Sequence, residues 1–338
     1  IFIRNKCYDT GLFKSVEFDL PVICVGNLAV GGSGKTPVTE YLVGLLADYK
    51  IAILSRGYGR DTKGFILADA QASAQRIGDE PMQYYRKFPQ VTVAVCEDRV
   101  KGIMQLKDQH DLIILDDAFQ HRRVKPGFSI LLFEYSNMLR PQFLLPAGNL
   151  REGFSGYKRA QAILITKVPS TAESHREVIS KAFSPGWKPA FSKIQYHQLQ
   201  HVFSAESKAL TTLKKDQVIF LLSGIANPQP LLQELEKYSK HLIHHQYGDH
   251  HQFTTAELLK LKTDFMQHPA TEKIIITTEK DAQRLSAIGL QELLLNLPLF
   301  FLPIKIDILA EDKLTFDQNV IKYVSSYTGN RRLYKQKN

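Results

Sequence analysis

The sequence contains little of what marks secreted or membrane-spanning proteins. Its 338 residues include three cysteines, Cys7, Cys24 and Cys96, and no CxxC pair. Cys24 and Cys96 lie in apolar runs, so we expect reduced core residues of a cytosolic protein rather than a disulfide scaffold. The chain shows no secretory signal. It also has no run of about eighteen apolar residues, which a bilayer-spanning helix requires.

The composition is that of a soluble globular protein, with 44% hydrophobic and 23% charged residues. The length allows two domains with sizeable cores. A formal net charge of +9 favours anionic partners such as a nucleotide, a phosphorylated substrate or an acidic lipid surface. Basic and aromatic residues do not interleave in a nucleic-acid-binding motif, so we predict no nucleic-acid partner.

A glycine-rich segment follows the first predicted strand, 21–26, and precedes a helical pattern with Pro37 in its first turn. Its glycines free the backbone N–H groups to surround phosphates, and the helix N-terminus adds positive potential. Ala29 occupies the place of the first glycine of the strict phosphate-loop pattern. We predict that Lys35 reaches the β- and γ-phosphates and that Thr36 ligates Mg²⁺. The predicted nucleotide-binding residues are Gly31, Gly32, Ser33, Gly34, Lys35 and Thr36.

Two adjacent carboxylates follow another buried strand. Residues 112–115 are apolar, and Asp116 and Asp117 come next. Open α/β sheets bind ligands at this carboxyl edge, so one of the two carboxylates would hold Mg²⁺ opposite Thr36, directly or through water. The sequence does not distinguish which carboxylate contacts the metal.

Asp98 and His250 are candidates for acid–base chemistry. Asp98 follows strand 91–95 and suits a general base for a hydroxyl acceptor, but the local sequence favours a helix N-cap ahead of Arg99. His250 follows Asp249 in a turn before a helix. The spacing of His241, His244 and His245 is helical, but no accompanying HExxH or cysteine set indicates zinc.

Apolar segments alternate with helical ones, which predicts an α/β fold: a P-loop NTPase-like, mostly parallel sheet with helices on both faces. Alternating residues 191–197 and 200–203 predict a two-stranded β-ribbon linker, and a second α/β pattern begins with strand 218–222. We expect a nucleotide-binding kinase domain at 1–190, the ribbon linker at 191–210 and a smaller C-terminal α/β domain at 211–338.

In order and spacing, the motifs resemble those of the tetraacyldisaccharide 4′-kinase family of lipid A biosynthesis through most of the chain. Ala118 departs from the family's more usual glycine, and a small backbone effect is expected at most. The matching segments are residues 26–37, Ser55-Arg-Gly-Tyr-Gly59, Gly78-Asp-Glu-Pro81, Asp98-Arg99, Asp116-Asp-Ala-Phe-Gln-His121, Leu145-Pro-Ala-Gly148, Arg151-Glu152, Asp249-His250 and Thr278-Glu-Lys-Asp-Ala282.

The resemblance implies that the γ-phosphoryl group of ATP is transferred to the 4′-hydroxyl of a lipid-linked disaccharide 1-phosphate. It implies Asp98 as a base helped by His250, across two domains that close around ATP. It also implies metal or phosphate roles near Asp116, Asp117 and Glu152, with Lys35 neutralising phosphate charge.

The family further implies a membrane-associating N-terminus. This chain begins Ile1-Phe-Ile and continues with Arg4 and Lys6, like the end of such a segment. We expect it to work at the cytoplasmic face of the inner membrane, held peripherally at an anionic surface or anchored by a missing N-terminal segment.

Three other classes of ATP- or GTP-using protein compete with this interpretation. A partitioning ATPase would carry a second lysine where the chain has Val30. A metal-loading or protein-targeting GTPase would carry Asn-Lys-x-Asp, and Thr166-Lys167 is the nearest strand-end relative. A nucleic-acid-dependent ATPase is supported by net charge alone.

Overall fold

The computed structural model describes residues 1–169, 175–286 and 289–335. The strands in this part of the chain are β1 Val22–Asn27, β2 Ile51–Ser55, β3 Ile66–Leu67, β4 Thr92–Val95, β5 Leu112–Asp116, β6 Phe128–Glu134, β7 Ala162–Thr166, β8 Ala190–Tyr196, β9 Leu199–His201, β10 Ser207–Lys208, β11 Val218–Ser223, β12 His241–Gln246, β13 Lys273–Thr278, β14 Leu299–Leu302 and β15 Ile304–Ile308.

Helices lie between these strands and flank them at both ends. They are α1 Phe2–Asp9, α2 Lys35–Leu45, α3 Ala74–Ile77, α4 Asp79–Lys87, α5 Arg99–Leu106, α6 Tyr135–Met138, α7 Arg176–Ser180, α8 Gln229–Leu235, α9 Thr255–Gln267, α10 Glu279–Leu285, α11 Gln291–Leu294 and α12 Ala310–Lys335. In the described ranges, no helix combines the length and apolar character needed to cross a bilayer.

The first sheet has the strand order β15-β8-β7-β6-β1-β5-β2-β4-β3. Its neighbours pair in parallel except at the two edges, where β3 and β15 run antiparallel. Successive residues of β1 point to opposite faces of the sheet and into two different hydrophobic cores. Cys24 packs in one core with Ile103 of α5, and Ile23 packs in the other core with Val38 of α2. Helices therefore cover both faces, as predicted. The strand is fully buried, which is why its sequence is continuously apolar.

The second sheet has the order β10-β9-β14-β13-β11-β12, with β14, β13, β11 and β12 parallel. Phe220 on β11 packs with Leu258 of α9, and Leu221 on the same strand packs with Leu235 of α8. Two mostly parallel sheets with helical layers confirm the predicted α/β class.

Two segments of the chain join the two sheets. The strands of the first segment, β8 and β9, do not pair with each other as the two-stranded ribbon that the alternating sequence predicted. Segment 190–201 leaves the first sheet as β8 and enters the second as β9, and segment 299–308 returns as β14 and β15. β8 pairs with β15 and β9 pairs with β14, both antiparallel. Alternation indicates a half-buried strand but not its partner, and the partners here lie about a hundred residues away in the sequence.

The last helix, α12, packs on the first sheet. Ile306 of β15 and Phe316, Val320 and Val324 of α12 share a core with β1 and α2. The division into 1–190, 191–210 and 211–338 stays a prediction, and we propose to amend it so that 304–335 joins the first domain. The histidines at 241, 244 and 245 lie on a strand, β12, rather than on a helix, because this segment pairs along β11.

Candidate functional site

The phosphate loop is built by backbone conformations that favour glycine. Gly31 and Gly34 have φ angles of 106° and 84°, in the left-handed region that side chains disfavour. Gly34 caps α2, which begins at Lys35. The hydroxyl of Thr166, at the end of β7, donates to the Ser33 carbonyl at 2.9 Å and holds the loop to the sheet edge. The arrangement leaves the N-terminus of α2 facing the loop, as an anion site requires.

Lys35 connects the phosphate loop to the carboxylates. Its Nζ lies 3.5 Å from Asp117 Oδ2 and 3.4 Å from Asn27 Oδ1. Arg151 Nη2 donates to the same Asn27 oxygen at 2.5 Å and lies 3.4 Å from Asp117 Oδ1. Asp117 has a left-handed φ of 46°, so strand β5 turns sharply to present this carboxylate between two cations. The structure thus brings the phosphate loop and the carboxylates after β5 to one edge of the sheet, where Lys35 and Asp117 form an ion pair.

Asp116 is buried beneath them. Burial raises its pKa to about 7, and the negative charge of Asp117 adds to the effect. Oδ2 accepts a 3.3 Å hydrogen bond from Ser55, whereas Oδ1 is buried and makes no hydrogen bond of good geometry among the described residues; the Tyr84 hydroxyl near the carboxylate partly offsets the rise in the pKa of Asp116. A buried, unpaired carboxylate oxygen is costly unless a cation meets it.

Asp98 is both a helix cap and an ion-pair partner. Its Oδ1 accepts from Val100 N at 3.1 Å at the start of α5, and its Oδ2 lies 2.8 Å from Arg123. Burial pushes the pKa of Asp98 upward, but Arg123 and the backbone N–H groups of Lys101 and Val100 together hold it below the usual value. His121 Nε2 is 4.0 Å from Oδ1. Burial and the charge of Arg99 lower the pKa of His121 to about 4, so it is neutral near pH 7.

His250 contacts a carboxylate other than Asp98. Its Nδ1 lies 3.1 Å from Asp79 Oδ2, and its Nε2 lies 3.0 Å from Lys280 Nζ. Its φ is 58°, and the ring of Tyr58 meets it edge-on at 5.2 Å. A histidine–aspartate pair therefore does cross from the second sheet to the first, but the aspartate is Asp79 at the start of α4.

Glu152 is fully engaged by neighbouring side chains. Both of its oxygens accept from Arg159, at 3.0 and 2.9 Å. Oε1 also accepts from Gln120 at 3.0 Å and Oε2 from Asn5 at 2.7 Å. These contacts connect Asn5 of α1 to the segment before Phe154.

Several residues that complete the site have no local sequence signal of their own. Asn27 accepts hydrogen bonds from both Lys35 and Arg151, and Arg151 also lies near Asp117. Asp79 hydrogen-bonds to His250. All three lie inside motifs quoted for the family resemblance, which was the available indication. Their partners are distant in sequence, so their local spacing could not reveal the contacts.

The chain matches the family model described as LpxK, tetraacyldisaccharide-1-P 4′-kinase, over residues 1–324. The tetraacyldisaccharide 4′-kinase of Phocaeicola vulgatus is 43% identical over 98% of this chain and 93% of its own length. The enzyme of the same name from Bacteroides thetaiotaomicron is 42% identical over 100% of this chain and 93% of its own length.

A solved structure gives the same result. LpxK from Aquifex aeolicus, crystallised in complex with ATP, superimposes with a TM-score of 0.72 and 29% identity, covering 96% of this chain and 95% of that one. These comparisons confirm the family that the sequence motifs resemble. Over nearly its whole length, the chain belongs to the tetraacyldisaccharide 4′-kinase family.

Proposed function

We propose that this chain, a tetraacyldisaccharide 4′-kinase by family, transfers the γ-phosphoryl group of ATP to the 4′-hydroxyl of a lipid-linked disaccharide 1-phosphate. The observation that carries the proposal is the meeting of Lys35, from the phosphate loop, with Asp117, from the end of β5. This is the junction at which a P-loop kinase holds phosphate and metal together.

The loop and its cations supply most of the catalysis. Phosphoryl transfer consists largely of positioning and neutralising negative charge. The backbone of Gly31–Gly34 and the N-terminus of α2 cradle the phosphates, and Lys35 neutralises their charge. Arg151, which reaches Asn27 and Asp117, adds a second cation at the same edge.

The residues at this edge fit Mg²⁺. Within 1–169, 175–286 and 289–335, no cluster of three or more His, Cys, Asp or Glu side chains could hold a metal alone. Mg²⁺ in kinases takes only one or two carboxylates and completes its shell with phosphate and water. Asp116, with its partnerless oxygen, Asp117 and the hydroxyl of Thr36 would hold it. The ion would neutralise charge on the transferring phosphoryl group.

Glu152 is the weaker metal candidate, because Arg159, Gln120 and Asn5 already occupy its oxygens. A metal would have to displace these donors. We therefore assign Glu152 a bracing role at the base of the loop that carries Arg151.

Asp98 is the proposed base. The proton of the 4′-hydroxyl moves to its carboxylate, the sugar oxygen bonds to the γ-phosphorus, and the bond to the β–γ bridging oxygen breaks to release ADP. The pKa of Asp98 lies below its usual value, so the carboxylate is ionised and able to accept. His250, which lies on the side of the second sheet, would assist Asp98 when the two domains close around ATP.

We further propose that the enzyme docks peripherally on the cytoplasmic face of the inner membrane, where the acylated acceptor resides. Phe2 and Ile3 of α1 are 74% and 78% exposed, and Arg4 and Lys6 follow them. An exposed apolar tip with basic flanks suits an anionic bilayer surface.

Acceptor-dependent ADP formation tests the proposal. The purified chain is incubated with Mg²⁺-ATP or Mg²⁺-GTP, with and without a tetraacyldisaccharide 1-phosphate. We expect ADP and phosphorylated disaccharide in equal amounts, with ATP preferred and little hydrolysis without the acceptor. Nucleotide hydrolysis that ignores the acceptor, or a preference for GTP, would favour a switch-type NTPase instead.

A further inference from the structure

The partners of His250 select one of its two neutral forms. Asp79, which faces Nδ1, is 6% exposed. Burial raises its pKa, but His250 and Arg284 outweigh this and lower it to about 2, so its carboxylate only accepts hydrogen bonds. Lys280, which faces Nε2 at 3.0 Å, is an ammonium that only donates. Both partners therefore require the proton on Nδ1 and a lone pair on Nε2.

Asp79 is itself held rigidly from the second sheet. Its Oδ2 accepts from Arg284 Nε at 3.0 Å and from Nη2 at 2.5 Å. The Arg284 side chain is 1% exposed, and Asp281, at 0%, holds its other nitrogen at 2.7 Å. A buried ion pair of this kind is strongly disrupted when one partner is removed. The carboxylate that orients His250 is thus fixed in place by α10.

Lys280 is shared between His250 and two carboxylates. Its Nζ lies 3.0 Å from Glu80 and 3.7 Å from Asp249. Asp249 Oδ2 is 3.9 Å from His250 Nε2, beyond hydrogen-bond range. The nitrogen that carries the lone pair is therefore covered by a lysine, not by a carboxylate that would draw a proton onto it.

We propose that Asp79 and Lys280 are positioning residues that fix His250 as the Nδ1–H tautomer and make Nε2 its basic nitrogen. This inference rests on the proposed function, in which His250 assists the base. In that role, Lys280 releases Nε2 as the two domains close, and the Nε2 lone pair accepts a hydrogen bond from the sugar hydroxyl, or from the carboxyl of Asp98 once that group has taken up the hydroxyl proton. Asp79 keeps the ring oriented throughout, as the third group of a catalytic triad does.

Nitrogen NMR of the full chain tests the tautomer directly. The eleven histidines are labelled with ¹⁵N, the His250 signals are assigned from a His250→Gln variant, and spectra are taken above about pH 8, where imidazole is neutral. We expect Nδ1–H in the wild type. The Asp79→Ala/Lys280→Met double variant, which lacks both hydrogen-bond partners of the ring, should shift toward Nε2–H. A wild type with Nε2–H, or a double variant with an unchanged tautomer, would overturn the proposal.

Kinetics with a matched control separates positioning from folding. Asp79→Ala should lower kcat by roughly 10²-fold with an unchanged KM for ATP. It should cause no further loss in a His250→Ala background, because residues acting as a unit are non-additive. Asp281→Asn disturbs the same buried cluster without touching His250, so it should lower the Tm but keep the tautomer. If Asp281→Asn shifts the tautomer equally, the effect is general loosening and the proposal fails.

A conservative variant covers the case in which Asp79→Ala does not fold. Asp79→Asn keeps the shape of the side chain and an acceptor oxygen, so we expect His250 to stay in the Nδ1–H form. We also expect a kcat at least tenfold above that of Asp79→Ala. If the alanine variant is unfolded, the kcat of Asp79→Asn should be near that of the wild type. An Asn variant that folds but carries Nε2–H contradicts the assignment. Full turnover by His250→Ala would instead refute the role of His250 in the proposed function, and the NMR result would stand apart from it.

Discussion

The ammonium of Lys35 lies 3.5 Å from the carboxylate of Asp117. The two residues come from different parts of the sequence, one from the start of α2 and one from the end of β5. β1 and β5 are adjacent parallel strands, so the loops after them meet at one edge of the sheet. This adjacency turns two separate sequence motifs into one site, in which a cation and a carboxylate are ready for phosphate and metal.

We predict that Lys35→Ala abolishes phosphoryl transfer and leaves the fold intact. The Lys35 side chain is 17% exposed and contacts Asp117 and Asn27 rather than an apolar core. Its removal takes away phosphate charge neutralisation. Turnover and thermal melting are measured side by side, with Lys181→Ala, a surface lysine 73% exposed, as the control. Near-normal turnover by Lys35→Ala would remove the phosphate-cradle assignment.

We predict that Asp98→Ala lowers kcat by roughly 10²–10⁴ with little change in ATP affinity, the range for a positioned general base. The same residue caps α5 and pairs with Arg123, so the alanine variant should also melt earlier. Asp98→Asn separates the two roles, because its amide oxygen still caps the helix but does not take up a proton. If Asp98→Asn keeps full kcat at saturating substrate, Asp98 is only a cap.

His250→Ala should also lower kcat, and the Asp98→Ala/His250→Ala double variant should lose less than the product of the two single losses. Steady-state kinetics on all four proteins gives the coupling. Strictly multiplicative losses would mean that the two residues act independently.

We predict that His121 makes the protein less stable in acid. Burial and Arg99 lower its folded-state pKa to about 4 from the usual 6.5, so below pH 6.5 the unfolded chain binds a proton that the folded chain resists. Its contribution to the free energy of unfolding is fully present above about pH 6.5 and is lost as pH falls toward 4. The total loss is at most about 3 kcal/mol.

Urea unfolding of the wild type and His121→Gln between pH 4 and pH 7.5 checks this. Glutamine does not titrate, so the wild type should lose stability relative to the variant as the pH falls. A difference between the two proteins that stays constant over this range would show that His121 titrates similarly in both states.

The local parts of the site were predictable from sequence, because they depend on short-range rules. Strand 21–26, the glycine loop and the start of a helix at Lys35 follow from apolar continuity, backbone freedom and capping, and the structure places them within a residue or two. The cap at Asp98 follows from its place before α5. Each of these signals lies within about ten residues of the feature it specifies.

The long-range contacts were not predictable. His250 and Asp79 are 171 positions apart, and Arg284 and Asp79 are 205 apart. Their meeting depends on how α10 packs against α4, which no local pattern encodes. The return of 304–308 to the first sheet is hidden for the same reason, and β12 was obscured because helical and extended histidine spacings overlap in so short a segment.

We predict that α1 mediates binding to anionic bilayers. Phe2 and Ile3 are largely exposed, and the net charge of +9 draws the chain to acidic headgroups. Each basic residue near the membrane surface adds about 1 kcal/mol to the binding free energy, and burial of the apolar side chains adds to that electrostatic attraction.

Flotation with liposomes of graded anionic content, at low and high salt, measures the binding. Phe2→Ser/Ile3→Ser should float less than the wild type. Leu314→Ser, which removes an equally apolar side chain 68% exposed on α12, should float like the wild type. Binding that ignores both charge and salt would refute the electrostatic part. Equal turnover on a water-soluble, deacylated disaccharide would show that the lipid surface does not matter for catalysis.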